Sequence, residues 1–174
     1  MIEILDNLDV LTRQRVDLAT VTVGGVALGA PGEAVRHREI VEAHSAVVAR
    51  YRGGSGVVGE YYDADGRQLT LDEVVGHVVR SDGSLHCADG VGYSIRGGVV
   101  DSFGIGDSYL SHFARLTSYD AFLEAFGTPD RVTEDVAFGD LLNRYAYYQG
   151  GQKRILWDAF NDRVSWISLG SLGS

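Results

Sequence analysis

The chain has 174 residues, of which 45% are hydrophobic and 22% charged, with a formal net charge of −9. That balance describes a folded domain rather than a disordered chain, and the acidic excess argues against nucleic acid or an anionic membrane as partner. Its 23 glycines against 2 prolines fit a fold with many tight turns, and the lone cysteine, Cys87, excludes an intramolecular disulfide.

A chain of this length buries about 70% of its unfolded surface, enough to fold without a metal or cross-link. The opening Met1-Ile-Glu-Ile-Leu-Asp carries acid where a signal peptide carries base. No apolar run approaches the ~20 residues that span a bilayer. A cytoplasmic protein is the expectation.

Residues Ile2 to Val16 place Ile4, Leu5, Leu8 and Leu11 at helical spacing, which predicts an amphipathic helix. Leu18 to Leu28 then sets β-branched residues around Gly24-Gly25, as in a hairpin. Pro31 suits the first turn of a helix, predicted to run to about Tyr51, because its missing N–H costs nothing there. On that helix Ile40, Val41, Val47, Val48 and Tyr51 form one stripe, with His37 and His44 inside it.

Gly53-Gly-Ser-Gly56 reads as a link. Short strands are predicted over Val57–Tyr62, Arg67–Leu71, Val74–Val79, Ser84–Ala88, Gly92–Ile95 and Val99–Ile105. The turns between them fall at Asp63-Ala-Asp-Gly66, Ser81-Asp-Gly83, Asp89-Gly90 and Gly97-Gly98. Thr70-Leu-Asp-Glu73 is also a capping box, so a short helix through Val79 competes with the strand there.

Thr117-Ser-Tyr-Asp120 begins a second helix, with Tyr119, Phe122, Leu123 and Phe126 on one face. Gly127 is its expected left-handed cap, and Pro129 prevents continuation. Asp130–Asp140 reads as an acidic connection. It leads into Tyr145–Gly170, three aromatic and β-branched runs separated by Gly150-Gly151 and Asn161-Asp162, the pattern of a β-meander.

A fainter copy of that meander lies upstream. Setting Gly106 on Gly170 pairs Tyr93 with Trp157, Gly97-Gly98 with Asn161-Asp162, Val100 with Val164, and Phe103 with Ile167. The fold class expected is therefore α+β, antiparallel sheet packed by a few helices, with residues 1–106 and 107–174 as two related halves. The helix, Gly-x-Pro and meander order of the last sixty or so residues resembles the small repeated units of β-lactamase inhibitory proteins and outer-membrane assembly lipoproteins. That resemblance carries no diagnostic motif and no site residues.

Catalytic signals are weak. On a helix His37 and His44 stand about 10.5 Å apart, too far to share one metal ion. They are core histidines or, in the alternative, the lining of a pocket. Next to Cys87, His86 would point to the opposite face of a strand and could not activate the thiol. Asp63-Ala-Asp-Gly66 resembles part of a calcium loop, but the twelfth position is Val74 where a bidentate Glu is required. No cofactor is implied.

The remaining signal is acid beside tyrosine. Glu60, Asp63, Asp65, Asp72 and Glu73 stand with Tyr61 and Tyr62; Asp130, Glu134, Asp135 and Asp140 stand with Tyr145, Tyr147 and Tyr148. Such runs are usually solvated faces, but tyrosine is enriched among interface anchors. The reading that follows is a non-enzymatic binding protein, of the inhibitor or toxin-immunity kind, acting on a basic protein partner. Its expected contact residues are Glu60, Tyr61, Tyr62, Asp63, Asp65, Glu73, Glu134, Asp135, Tyr145 and Tyr148. The alternative is a small-molecule-binding protein or enzyme with a pocket at His37 and His44.

Overall fold

Antiparallel strands dominate the computed structural model, which describes residues 1–45, 50–51 and 61–172. Strands β1 (Ile2–Glu3), β2 (Val21–Val23), β3 (Val26–Ala27), β4 (Ile40–His44), β5 (Arg50–Tyr51), β6 (Tyr61–Tyr62) and β7 (Gln68–Leu69) precede helix α1 (Leu71–Val78). Strands β8 (Gly83–Cys87), β9 (Val91–Arg96) and β10 (Val99–Ile105) follow, then helix α2 (Tyr119–Phe126). The chain ends in β11 (Arg131–Ala137), β12 (Asp140–Tyr148), β13 (Lys153–Asp158) and β14 (Arg163–Gly170). Two compact units result: Val26–Phe103, and Met1–Gly25 together with Gly104–Ser174.

In the unit Val26–Phe103, β4, β8, β9 and β10 lie side by side in that order. Ala43, Leu85 and Tyr93 stand opposite one another across three of these strands, and all three are buried. A small ribbon of β5, β6 and β7 is separate. Helix α1 starts where the capping box predicts: Thr70 Oγ1 accepts from Glu73 N at 3.1 Å, and Glu73 Oε1 accepts from Thr70 N at 3.3 Å. Its buried face is Val74, Val75 and Val78. Burying each such side chain contributes roughly 1.5–3 kcal/mol.

In the other unit, β11, β12, β13 and β14 form an antiparallel meander. Ala146, Ile155 and Ile167 oppose one another on its buried face. Phe122 of α2 lies 5.4 Å from the Trp157 ring and 5.0 Å from Phe126, which in turn meets Phe113 at 5.3 Å. The α2 boundaries follow the sequence, with Ser118 capping the start through Ala121 N. Gly127 has the expected positive φ of 83°, but its ψ of 178° is extended, so it ends the helix without the left-handed turn.

Three expectations fail. Ile2–Val16 is not a helix. The Glu3 carboxylate accepts from Leu5 N, Gly24 N, Gly25 N and Thr22 Oγ1, which fixes β1 beside β2 and leaves only 3₁₀ turns at Ile4–Asp6 and Leu8–Thr12. Gly24 and Gly25, at φ 62° and 78°, do form the expected turn between β2 and β3.

The helix from Pro31 is one 3₁₀ turn, Gly32–Val35, followed by strand β4. β-branched residues lose rotamer freedom in a helix and fit a pleat, and here Ala43 is buried while Val41 is exposed. Val47, Val48, the Gly53–Gly56 link and residues 57–60 lie outside the described residues. Of the two readings left open for Val74–Val79, the capped helix is the one that forms. Asp130–Asp140 is not a connection but mostly strand β11, whose acids alternate sides along an edge.

Candidate functional site

Within Val26–Phe103, two of the expected acids, Asp63 and Glu73, are used by the fold. Asp63 Oδ1 accepts from the backbone N–H of Asp65 at 2.9 Å and of Arg67 at 2.8 Å, which closes the Asp63–Gly66 turn. The Arg67 guanidinium then reaches Glu73 Oε2 at 3.1 Å. The Arg67 amide on Asp63 and the Thr70 amide on Glu73 hold both carboxyls below their ordinary range. Asp65 is exposed and Tyr62 half-buried, while Glu60 lies outside the described residues. Tyr61 is 2% exposed, and its hydroxyl accepts from Ala43 N at 3.0 Å, so it is core and not a surface anchor.

The two histidines of the alternative reading part company. His37 is exposed, with Nδ1 2.7 Å from the Ala34 carbonyl. His44 ends β4, where Nε2 lies 3.0 Å from Glu42 Oε1 and the ring stands edge-on to His86 at 5.6 Å. A cleft of about 540 Å³ is lined by His44, Asp82, Gly83, Ser84, Ser94, Ile95 and Arg96, without His37. Burial, reinforced by His44, lowers the pKa of His86. Among the described residues no group of three or more His, Cys, Asp or Glu is placed to hold a metal ion. Burial pushes the Cys87 thiol up to about 11, which disfavours the thiolate a nucleophile needs.

The meander supplies the most developed surface. Strand alternation sends Tyr145 and Tyr147 to one side and Tyr148 to the other. Tyr148 is 2% exposed, with its hydroxyl on the Gly127 carbonyl at 3.0 Å, so it too is core rather than anchor. On the outward side the register sets Thr133, Tyr145, Leu156 and Trp166 in one row across the four strands, all partly exposed. Arg131, Tyr147, Arg154 and Ser168 make the next row. The Arg131 guanidinium lies over the Tyr147 ring at 4.1 Å, and Trp166 Nε1 donates to Ser168 Oγ at 3.0 Å. These contacts hold wide, flat side chains in place at small entropic cost.

Adjacent acids on β11 also divide. Tyr145 donates its hydroxyl to Asp135 Oδ2 at 2.8 Å, and that bond raises the phenol pKa. Glu134 pairs instead with Arg144 at 3.3 Å, and the Arg144 guanidinium lies 4.0 Å from the Tyr119 ring of α2. The two outward rows are therefore aromatic with arginine, flanked by Asp135, and not uniformly acidic. Leu156 and Trp166 are additions to the expected contacts; period-two counting through β13 and β14 is the signal that finds them.

Lys153, the only lysine, is 0% exposed on the opposite, buried side. Its Nζ donates to the carbonyls of Leu11 at 3.1 Å and Arg13 at 2.6 Å, and lies 4.8 Å from the Tyr148 ring. Burial lowers its pKa to about 8. It ties the N-terminal segment to β13, and no substrate could reach it.

No family model, no curated protein and no solved structure matches this chain, so the likeness of its last sixty or so residues to inhibitory-protein units rests on element order alone.

Proposed function

We propose that the chain is a non-enzymatic protein-binding module, of the inhibitor or toxin-immunity kind, acting on a basic protein partner. The observation that carries this reading is the outward row Thr133, Tyr145, Leu156 and Trp166. Aromatic side chains beside arginine dominate the energetics of protein interfaces, and here they stand on a preorganised sheet rather than on loops. The net charge of −9 favours encounter with a basic protein.

The module is read as two related halves. In support, β10 and β14 share one burial sequence: Val99 and Arg163 exposed, Val100 and Val164 buried, the next two partly buried, the last three of β10 and their counterparts buried. Each follows a hairpin turn at the place the internal repeat predicts. One difference remains: outer strand β4 precedes α1, whereas outer strand β11 follows α2.

The test is isolation of the partner from the native host, followed by kinetics with the purified pair. Tyr145→Ala and Trp166→Ala are expected to speed dissociation at least 10-fold, and added salt to slow association. Unchanged kinetics in both variants would overturn the reading.

A second reading is favoured by the cleft at His44, which brings imidazole, two serine hydroxyls and a guanidinium together around a space large enough for a small molecule. In that case His44→Ala abolishes ligand binding or turnover, and the meander substitutions leave it intact.

A further inference from the structure

Six phenylalanines divide sharply by environment. Phe103, Phe113, Phe122 and Phe126 are buried, whereas Phe138 is 104% exposed and Phe160 67% exposed. Both exposed rings stand on hairpin tips of the meander. Phe138 occupies the two-residue turn between β11 and β12, and Phe160 the turn between β13 and β14. Register puts the two tips at the same end of the sheet: Ala159 N and Phe160 N both donate to the Leu142 carbonyl, at 2.9 and 3.3 Å. Val136, opposite Leu141, adds a 64% exposed side chain to that end.

The Phe138 turn is not what local chemistry alone would select. Phe138 and Gly139 have φ of 53° and 82°, the pattern of a type I′ turn. Asparagine or glycine meets that demand at the first position; a bulky ring in water gains nothing from it. Phe160 is held by an aspartate turn, in which Asp158 Oδ1 accepts from Phe160 N at 3.1 Å and Asn161 N at 3.0 Å. The backbone of the Phe160 tip is thus tied by hydrogen bonds within its own turn. Each ring also has an exposed aspartate two residues on, Asp140 after Phe138 and Asp162 after Phe160. Arg163, the neighbouring cation, lies 3.5 Å from Asp158.

We infer that the paired tips insert Phe138 and Phe160 into an apolar pocket of the partner protein bordered by lysine or arginine. Charge selects this occupant over a second copy of the chain: two such ends would bring four tip aspartates together, on molecules each carrying −9. Both rings already stand exposed at the tips, and aspartates at the edge of the patch would meet the pocket's rim. The inference rests on the protein-binding reading and names where that binding is strongest.

To test it, benzoylphenylalanine is placed at position 138 of the full chain, in cells that naturally produce it. Irradiation and mass spectrometry then identify the contacted peptide, and the protein bearing it is purified and titrated. A contacted peptide of apolar residues with Lys or Arg close by is expected. Phe138→Asn and Phe160→Ser are each expected to weaken binding at least 10-fold, while Phe138→Asn leaves the melting temperature unchanged or higher. Weaker binding at an undiminished melting temperature excludes misfolding as the cause. An acidic contacted peptide, a cross-link only to another copy of this chain, or no cross-link at all overturns the inference. If the double variant keeps full affinity while Tyr145→Ala loses it, the tips are not the anchor and the protein-binding reading stands. Full affinity in all of these variants removes both.

Discussion

The indole of Trp166 lies so close over Gly104 that a Cβ at position 104 would come within 2.1 Å of Cζ2 and 2.8 Å of Cε2. Only a residue without a side chain leaves room for this ring, and the ring's Nε1 is fixed in turn by Ser168. Gly104→Ala must therefore push the indole outward and break that bond. The expected cost is about 1–3 kcal/mol, as for other overpacking substitutions. Urea unfolding followed by tryptophan fluorescence checks it; an unchanged midpoint and emission maximum would show that the ring is not seated there.

Lys153 makes stability depend on pH in an unusual direction. Burial lowers its pKa from 10.5 to about 8 in the folded chain, and unfolding restores the higher value. Between about pH 8 and 10.5 the unfolded state therefore binds more protons, so stability rises with pH across that window. The upper bound is about 3 kcal/mol, from the size of the shift. Burial pushes the Tyr93 and Tyr148 phenols up, which adds its own pH dependence, so the comparison is between wild type and Lys153→Met. The wild type is expected to gain stability relative to the variant from pH 7.5 to 9.5. A constant difference would mean that Lys153 is not a desolvated cation.

Much of this fold could be read from residue patterns, and the failures share a cause. The meander, the hairpin turns at Gly24-Gly25, Asp89-Gly90 and Gly97-Gly98, and both helix starts depend on local chemistry: positive φ at glycine, or a hydroxyl capping an amide. Ile40–His44 and Arg131–Ala137 are strands because of neighbours distant in sequence, β8 for one and β12 for the other. Helical spacing of Ile40 and Val41 carried no information about that edge. The acidic stretches misled for a related reason. Composition shows that Asp63 and Glu73 are acids, but not that backbone amides and Arg67 already occupy them.

That occupancy is itself testable. Because Thr70 and Glu73 cap α1 reciprocally, Thr70→Ala is expected to cost about 1 kcal/mol of stability. Glu73→Gln keeps an acceptor for Thr70 N but loses the charge facing Arg67, so it should cost less. Denaturant titration of the two variants gives the order. A larger loss in Glu73→Gln would mean that the ion pair with Arg67 stabilises this helix start more than the cap does.

Cys87 should be inert. Its thiol is 5% exposed and burial pushes its pKa up to about 11, so at pH 7 only about one molecule in ten thousand carries thiolate. Iodoacetamide is expected to leave Cys87 unmodified in the native chain and to label it promptly in urea. Fast labelling of the native chain would reinstate Cys87 as a candidate nucleophile.

Tyr145 and Tyr148 are three residues apart on one strand and should behave as opposites. Alternation along β12 turns Tyr148 inward, where its ring is buried and its hydroxyl donates to the Gly127 carbonyl. Truncating a buried aromatic typically costs about 3–5 kcal/mol, and here it also strands that acceptor. Tyr145 faces outward and loses only a partly exposed ring and its bond to Asp135, so Tyr145→Ala should cost about 1 kcal/mol. Chemical denaturation separates the two before any partner is known. Binding then reverses the order: at temperatures where both variants remain folded, Tyr145→Ala should speed dissociation and Tyr148→Ala should leave it nearly unchanged. Equal stability losses in the two variants would mean that the outward face of β12 is packed against something within the chain, and the aromatic row could not then be offered to a partner.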